Sequence, residues 1–170
     1  MTTISPATPA DVPTILTLIR ELAEYERLSH AVVATEEHVH ASLFGERPRA
    51  EALLARDDRA VAGFALFFHN YSTFVGRPGL YLEDLFVRPA FRGRGIGRAL
   101  LAELARIAVE RDCGRMEWSV LDWNVDAIGF YEKLGAQPMS EWTVFRLAGD
   151  PLRALASNAR VPGARAGATE

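Results

Sequence analysis

The chain has 170 residues, 49% of them hydrophobic and 24% charged, with a formal net charge of -3. That size and balance fit one globular domain with a full core and exclude a disordered chain. The 22 acids against 19 bases leave no basic surplus for a polyanion, so no nucleic-acid partner is expected and a cationic ligand is slightly favoured.

Cys113 is the sole cysteine, which rules out an intrachain disulfide and makes a reducing, cytoplasmic setting the economical expectation. The longest apolar run, Val61 to Phe68, falls far short of the roughly 20 residues of a spanning helix. The N-terminus lacks the basic and apolar regions of a signal peptide, so no membrane association is expected.

Thr2 to Ser5 is a short lead-in, and Asp11 ahead of Val12-Pro13 marks a helix start. Ile15, Leu18, Ile19 and Leu22 share one face of that helix, which runs to about Arg27. Thr35-Glu36-Glu37-His38 opens a second helix to about Phe44, with Thr35 as cap. His38 and His40, two apart, point to different helix faces, and no metal is expected. Ala50 to Ala55 and Ala60 to His69 read as a hairpin around Arg56-Asp57-Asp58-Arg59. Asn70 to Gly79 reads as a loop, and Leu80 to Arg88 as the third strand of the meander. Within that strand Glu83 and Asp84 break the apolar pattern. A carboxylate buried there without a partner costs several kcal/mol, so the position is an edge, an opening or a functional site.

A helix spans Gly97 to Arg111 with Leu100, Leu101, Leu104, Ile107 and Ala108 inward, and Arg115 to Leu121 alternates as a strand. Val125 to Leu134 is a short helix closed by Gly135, and Trp142 to Leu147 reads as a last strand. After Ser157 periodicity ends. One domain over residues 1–156 with a flexible tail, 157–170, is the expected organisation.

Between the third strand and its helix lies Arg92-Gly93-Arg94-Gly95-Ile96-Gly97-Arg98. Glycines at such a junction let backbone approach a ligand, and the first helical turn offers N–H groups suited to phosphate. The spacing departs from the G-x-G-x-x-G of dinucleotide folds, because position 98 is Arg, and from the Gly-Lys-Ser/Thr of nucleoside triphosphate loops. A tight turn alone accounts for one or two of the glycines. Three of them beside Arg92, Arg94 and Arg98 fit a pyrophosphate.

Arg92-x-x-Gly95-x-Gly97 resembles the acetyl-CoA loop of the GNAT N-acetyltransferases. Three further stretches resemble the diamine (spermidine/spermine) and thialysine acetyltransferase branch: Leu22-Ala23-Glu24-Tyr25-Glu26, Tyr81-Leu82-Glu83-Asp84-Leu85-Phe86-Val87, and Trp123-Asn124-x-x-Ala127-x-x-Phe130-Tyr131-x-x-x-Gly135-Ala136. The resemblance covers roughly residues 3 to 147. It implies a mixed α/β fold, a central, mostly antiparallel twisted sheet flanked by about four helices. It also implies an enzyme moving acetyl from acetyl-CoA to a primary amine of a small cationic substrate (a diamine, polyamine, thialysine or lysine analogue), in a ternary complex.

By the same resemblance Leu85, Phe86 and Val87 pair with the pantetheine arm, and Arg92 to Arg98, with Ile96 among them, hold the pyrophosphate. Asn124, Val125, Asp126 and Ala127 complete the cofactor groove. Glu83 is the implied general base and Tyr131 the implied acid, although Tyr131 beside Phe130 also reads as a core aromatic. Tyr25, Glu26, Glu83, Asp84, Glu117, Trp118, Ser119 and Glu141 lie where the family binds its amine, although Tyr25 and Glu26 taken alone read as a solvated helix end. A homodimer is the expected assembly, with the strand around Trp142 as a contact. The alternatives are acetylation of a protein N-terminus, a lysine or an aminoglycoside, or a CoA-binding sensor without chemistry.

Overall fold

The computed structural model describes residues 1–58 and 60–159. Two compact units appear, Met1–Leu121 and Asp122–Glu170. The first holds a five-stranded sheet in the order β1 (Thr2–Pro6), β2 (Glu51–Asp57), β3 (Ala60–Ser72), β4 (Arg77–Val87) and β5 (Met116–Trp118). Neighbours pair antiparallel except β4 and β5, which run parallel.

Three helices accompany the sheet: α1 (Val12–Tyr25), α2 (Glu36–Phe44) and α3 (Ile96–Glu110). Ahead of α1, the N–H and hydroxyl of Thr8 both donate to Asp11 Oδ2 at 2.8 Å, and Pro13 occupies the first turn, where no intrahelical N–H is needed. In α2 the Thr35 hydroxyl accepts from His38 N–H at 3.2 Å, the cap expected from the sequence. Ile15, Leu18 and Leu22 of α1 pack with Val39 and Leu43 of α2 onto Ala52, Leu54, Phe64 and Phe86 of the sheet. α3 buries Leu100, Leu101, Leu104, Ile107 and Ala108, as the periodicity requires.

Four local expectations need correction. Thr2 to Ser5 is not a lead-in but β1, paired from Thr2↔Asp57 to Pro6↔Leu53. The expected loop from Asn70 to Gly79 shrinks to residues 73–76, because the β3–β4 ladder continues through Asn70↔Gly79, Tyr71↔Pro78 and Ser72↔Arg77; Asn70 also donates to Glu117, and Ser72 receives Arg115 and the Val75 N–H. β5 ends at Trp118, since its ladder with β4 ends at Leu82↔Trp118. Trp142 to Leu147 forms no strand; it is rich in aromatic and β-branched residues but has no ladder neighbour among the described residues, and a strand exists only by pairing.

The unit after residue 121 contains α4 (Val125–Lys133) and α5 (Gly149–Ser157), the latter a helix beyond the four expected. Asn124 caps α4, accepting the Ala127 N–H, and Gly135 closes it at φ 88°. Positions 160–170 of the expected tail lie outside the described residues, and Ser157 is still helical.

Gly63 sits in β3 where a Cβ would fall 2.3 Å from the Phe86 carbonyl oxygen. Gly63→Ala must push β3 and β4 apart, and a loss of about 1–3 kcal/mol in the unfolding free energy is expected from urea titration.

Candidate active site

Register shifts between Leu66 and Phe67, which pair with Asp84 and Leu82, so Glu83 has no residue opposite it. A bulge of this kind re-aims the side chains beside it and recurs next to active sites. Leu66 packs against the core under α1, and residues opposite each other in a ladder share a face, so Asp84 lies on the α1 side of the sheet. There burial, reinforced by the charges of Glu83 and Glu26, pushes the Asp84 carboxyl up to about 6. Glu26, just past the end of α1, is itself raised by burial. Glu83 is exposed.

The end of α1 is held in place by Arg88. Its Nε and Nη2 donate to the two Glu21 oxygens at 2.7 and 2.8 Å, and its Nη1 donates to the Val61 carbonyl at 2.8 Å. A bidentate pair of this form fixes orientation as well as distance. It anchors the helix one turn before Tyr25 and Glu26.

The Arg88 N–H donates to Ala62 O at 2.9 Å on the β3 side. Backbone groups alternate along a strand, so those of Leu85 and Val87 point to the opposite edge. β5 no longer pairs there, which leaves an open edge at the segment expected to meet pantetheine. Arg92 covers part of it: its Nε donates to the Val87 carbonyl at 2.9 Å, and its guanidinium lies 4.5 Å from the centre of the Tyr25 ring and 5.8 Å from that of Phe86.

Gly93 and Gly95 adopt φ 74° and 79°, and Gly95 caps α3 from the left-handed region. Ala99 N–H reaches back to Gly95 O, so the N–H groups of Ile96, Gly97 and Arg98 precede the intrahelical ladder. A Cβ at Gly93 or Gly95 would meet nothing within 4 Å, and at Gly97 only Val87 Cγ2 at 3.8 Å. The loop therefore has donors and room for a pyrophosphate. Two of the three arginines are engaged elsewhere: Arg92 lies over Tyr25, and Arg94 reaches Asp57 at 3.3 Å.

Around β5, Tyr81 is the register partner of Glu117, and its hydroxyl shares a hydrogen bond of 2.9 Å with Ser119. Phe68 stacks on Tyr81 at 5.1 Å between centroids. Glu117 pairs with Arg115 at 2.8 Å and accepts from Asn70 at 3.0 Å. Trp118 is half-buried in β5.

In the second unit, Tyr131 lies on α4 with its ring 5.4 Å from that of Phe130. The side chain of Asn124 is engaged as the cap of that helix, Val125 and Asp126 stand exposed in its first turn, and Ala127 is half-buried. Glu141 is exposed.

A bulged strand with an open edge, followed by a glycine-capped helix, invites comparison with known proteins. The model of the acetyltransferase (GNAT) family matches residues 16–136. This chain belongs to the GNAT acetyltransferase family. An L-ornithine N5-acetyltransferase of Arabidopsis thaliana is 38% identical, over 88% of this chain and 85% of the relative. A thialysine N-epsilon-acetyltransferase of Bos taurus is 41% identical, over 90% of this chain and 96% of the relative. Among solved structures, an integron cassette protein from the mobile metagenome of V. cholerae superposes with a TM-score of 0.77 at 28% identity, covering 91% of this chain and 97% of that one. The chain is thus an N-acetyltransferase with the GNAT fold expected from its sequence.

Within the sheet unit of this GNAT enzyme, the structure brings Tyr25 and Glu26 to the Asp84 and Arg92 side of β4. Sequence reasoning missed Glu21 and Arg88, which seat that helix end, and Phe68, Tyr81, Asn70 and Arg115, which build the far end of the same face. The one usable signal for the latter group was Glu117, a predicted site residue whose register partner is Tyr81. Their partners come from strands distant in sequence.

Proposed function

We propose that this enzyme transfers the acetyl group of acetyl-CoA to the primary amine of a small cationic acceptor, by direct attack in a ternary complex. The observation that carries the reading is Asp84, a mostly buried carboxyl tuned to about 6 beside two further carboxylates and next to an open strand edge. The curated relatives are named for ornithine and thialysine, which are small amines.

When bound, acetyl-CoA supplies a thioester carbonyl open to attack. The open edge at Leu85 to Val87 would hold the pantetheine arm, Gly93 to Arg98 the pyrophosphate, and Asn124 to Ala127 the rest of the groove. Arg92 must leave the Val87 carbonyl for that edge to pair.

An alkylammonium of pKa about 10.4 has no lone pair to attack with. Glu26, Glu83 and Asp84 attract it, and the Glu83–Asp84 pair takes its proton. Asp84 is the member whose pKa lies near working pH, where a general base is most effective. The new N–C bond forms as the C–S bond breaks, and Tyr131 protonates the departing sulfur.

A cytoplasmic homodimer completes the reading, supported by the lone cysteine and by the exposed Trp142, Val144 and Phe145. Sedimentation of the full chain at twice the monomer mass is the expected result. The deciding experiment is CoA release from acetyl-CoA over diamines, polyamines, thialysine, ornithine and lysine, with N-terminal peptides and an aminoglycoside alongside. Turnover with the small amines is expected; turnover confined to peptides or the aminoglycoside would overturn the reading.

A further inference from the structure

The far end of the acceptor face carries a cation and an anion of its own. Arg115 and Glu117 are two apart on an extended segment, so both side chains leave the same face. Arg115 Nε pairs with Glu117 Oε2 at 2.8 Å, its Nη1 donates to Ser72 Oγ at 3.3 Å, and Asn70 Nδ2 donates to the same Glu117 oxygen at 3.0 Å. Among the described residues, nothing engages Glu117 Oε1 or Arg115 Nη2, and the two side chains are 32% and 40% exposed.

The arrangement is built rather than incidental. A Cβ at Gly79 would fall 2.3 Å from Asn70 Oδ1, so the glycine leaves room for the Asn70 side chain as it stands, with its amide nitrogen toward Glu117. Ser72, which receives Arg115, is buried. One free carboxylate oxygen beside one free guanidinium edge is the complement of an α-ammonium beside an α-carboxylate.

Tyr81 lies on the face opposite Leu82 and shares the Asp84 side of the sheet, and Glu117 is its register partner. The bulge sets Tyr81 to Asp84 against only the two steps from Phe68 to Leu66, so Glu117 stands roughly 7 Å from Asp84 along the strand direction, at about 3.3 Å per residue, and one strand over. A chain of three or four carbons with a hydrogen bond of about 2.9 Å at each end covers that span.

We propose that the Arg115–Glu117 pair, seated by Asn70 and Ser72, reads the α-amino-acid head of the acceptor and selects a basic amino acid over the corresponding diamine. The proposal rests on the acetyltransferase reading above and deepens it. A diamine lacks the carboxylate that Arg115 would take, so its second ammonium can gain only Glu117 and is repelled by the guanidinium beside it.

The test compares matched acceptors that differ only in the carboxylate: ornithine with 1,4-diaminobutane, and lysine with 1,5-diaminopentane. The parent enzyme should favour the amino acids. Arg115→Met should lower kcat/KM for them at least tenfold, chiefly through KM, and leave the diamines unchanged or improved. Arg115→Lys should recover part of the loss, and Glu117→Gln should weaken the amino acids more than the diamines. An equal change for both classes in Arg115→Met, or a parent preference for diamines, overturns the role of the pair alone. Turnover with no amine at all overturns the acetyltransferase reading with it.

Discussion

Asp84→Asn is expected to cut kcat/KM by about 100-fold or more and to abolish the acidic limb of the pH–rate profile. In the parent enzyme the carboxyl is held up to about 6 by burial and by its neighbours Glu83 and Glu26, so activity should fall tenfold per unit as pH drops below that value. Asparagine keeps the shape but takes no proton. A limb that survives in Asp84→Asn and disappears in Glu83→Gln would assign the proton transfer to Glu83.

The same substitution should stabilise the fold. A carboxyl whose folded pKa is about 6, raised from 3.8, contributes stability below pH 4 that is lost as pH rises through 6. At pH 8 the ionised group carries a cost on the order of 3 kcal/mol. Asp84→Asn should therefore melt above the parent at pH 8, with the gap closing toward pH 4. A variant that is more stable and nearly inactive is what a strained functional charge leaves behind.

Tyr131→Phe should retain acetyl-CoA affinity, measured by calorimetry, and lose about 100-fold or more in kcat, because only the phenolic proton is removed. The ring packs beside Phe130, and phenylalanine keeps that contact. Unchanged turnover would leave Tyr131 as a packing residue and require another acid for the leaving sulfur.

Much of this molecule could be read from local pattern. The inward faces of α1 and α3, the Thr35 cap and the Gly135 stop follow from periodicity and from backbone chemistry confined to a few neighbouring residues. β1 escaped because Thr2 to Pro6 carries little alternation and becomes a strand only by pairing with β2, some fifty residues on. The Trp142 to Leu147 segment erred in the opposite direction, carrying strand-favouring residue types without a ladder partner among the described residues.

At the site the division is sharper. The residue types themselves announce a glycine-capped anion site and two acids inside an apolar strand, since glycine spacing and misplaced charge are properties of the string. Which acid is tuned could not be read there. The bulge at Glu83 turns Asp84 under α1, and Glu26 reaches it from sixty residues upstream. The arginines of the loop are just as legible as types, yet Arg92 settles over Tyr25 and Arg94 on Asp57, because partners in space outbid neighbours in sequence. The sequence by itself determined the chemistry on offer; burial and long-range pairing, which exist only in the folded chain, decided which groups are desolvated, which are neutralised and which remain open to a substrate.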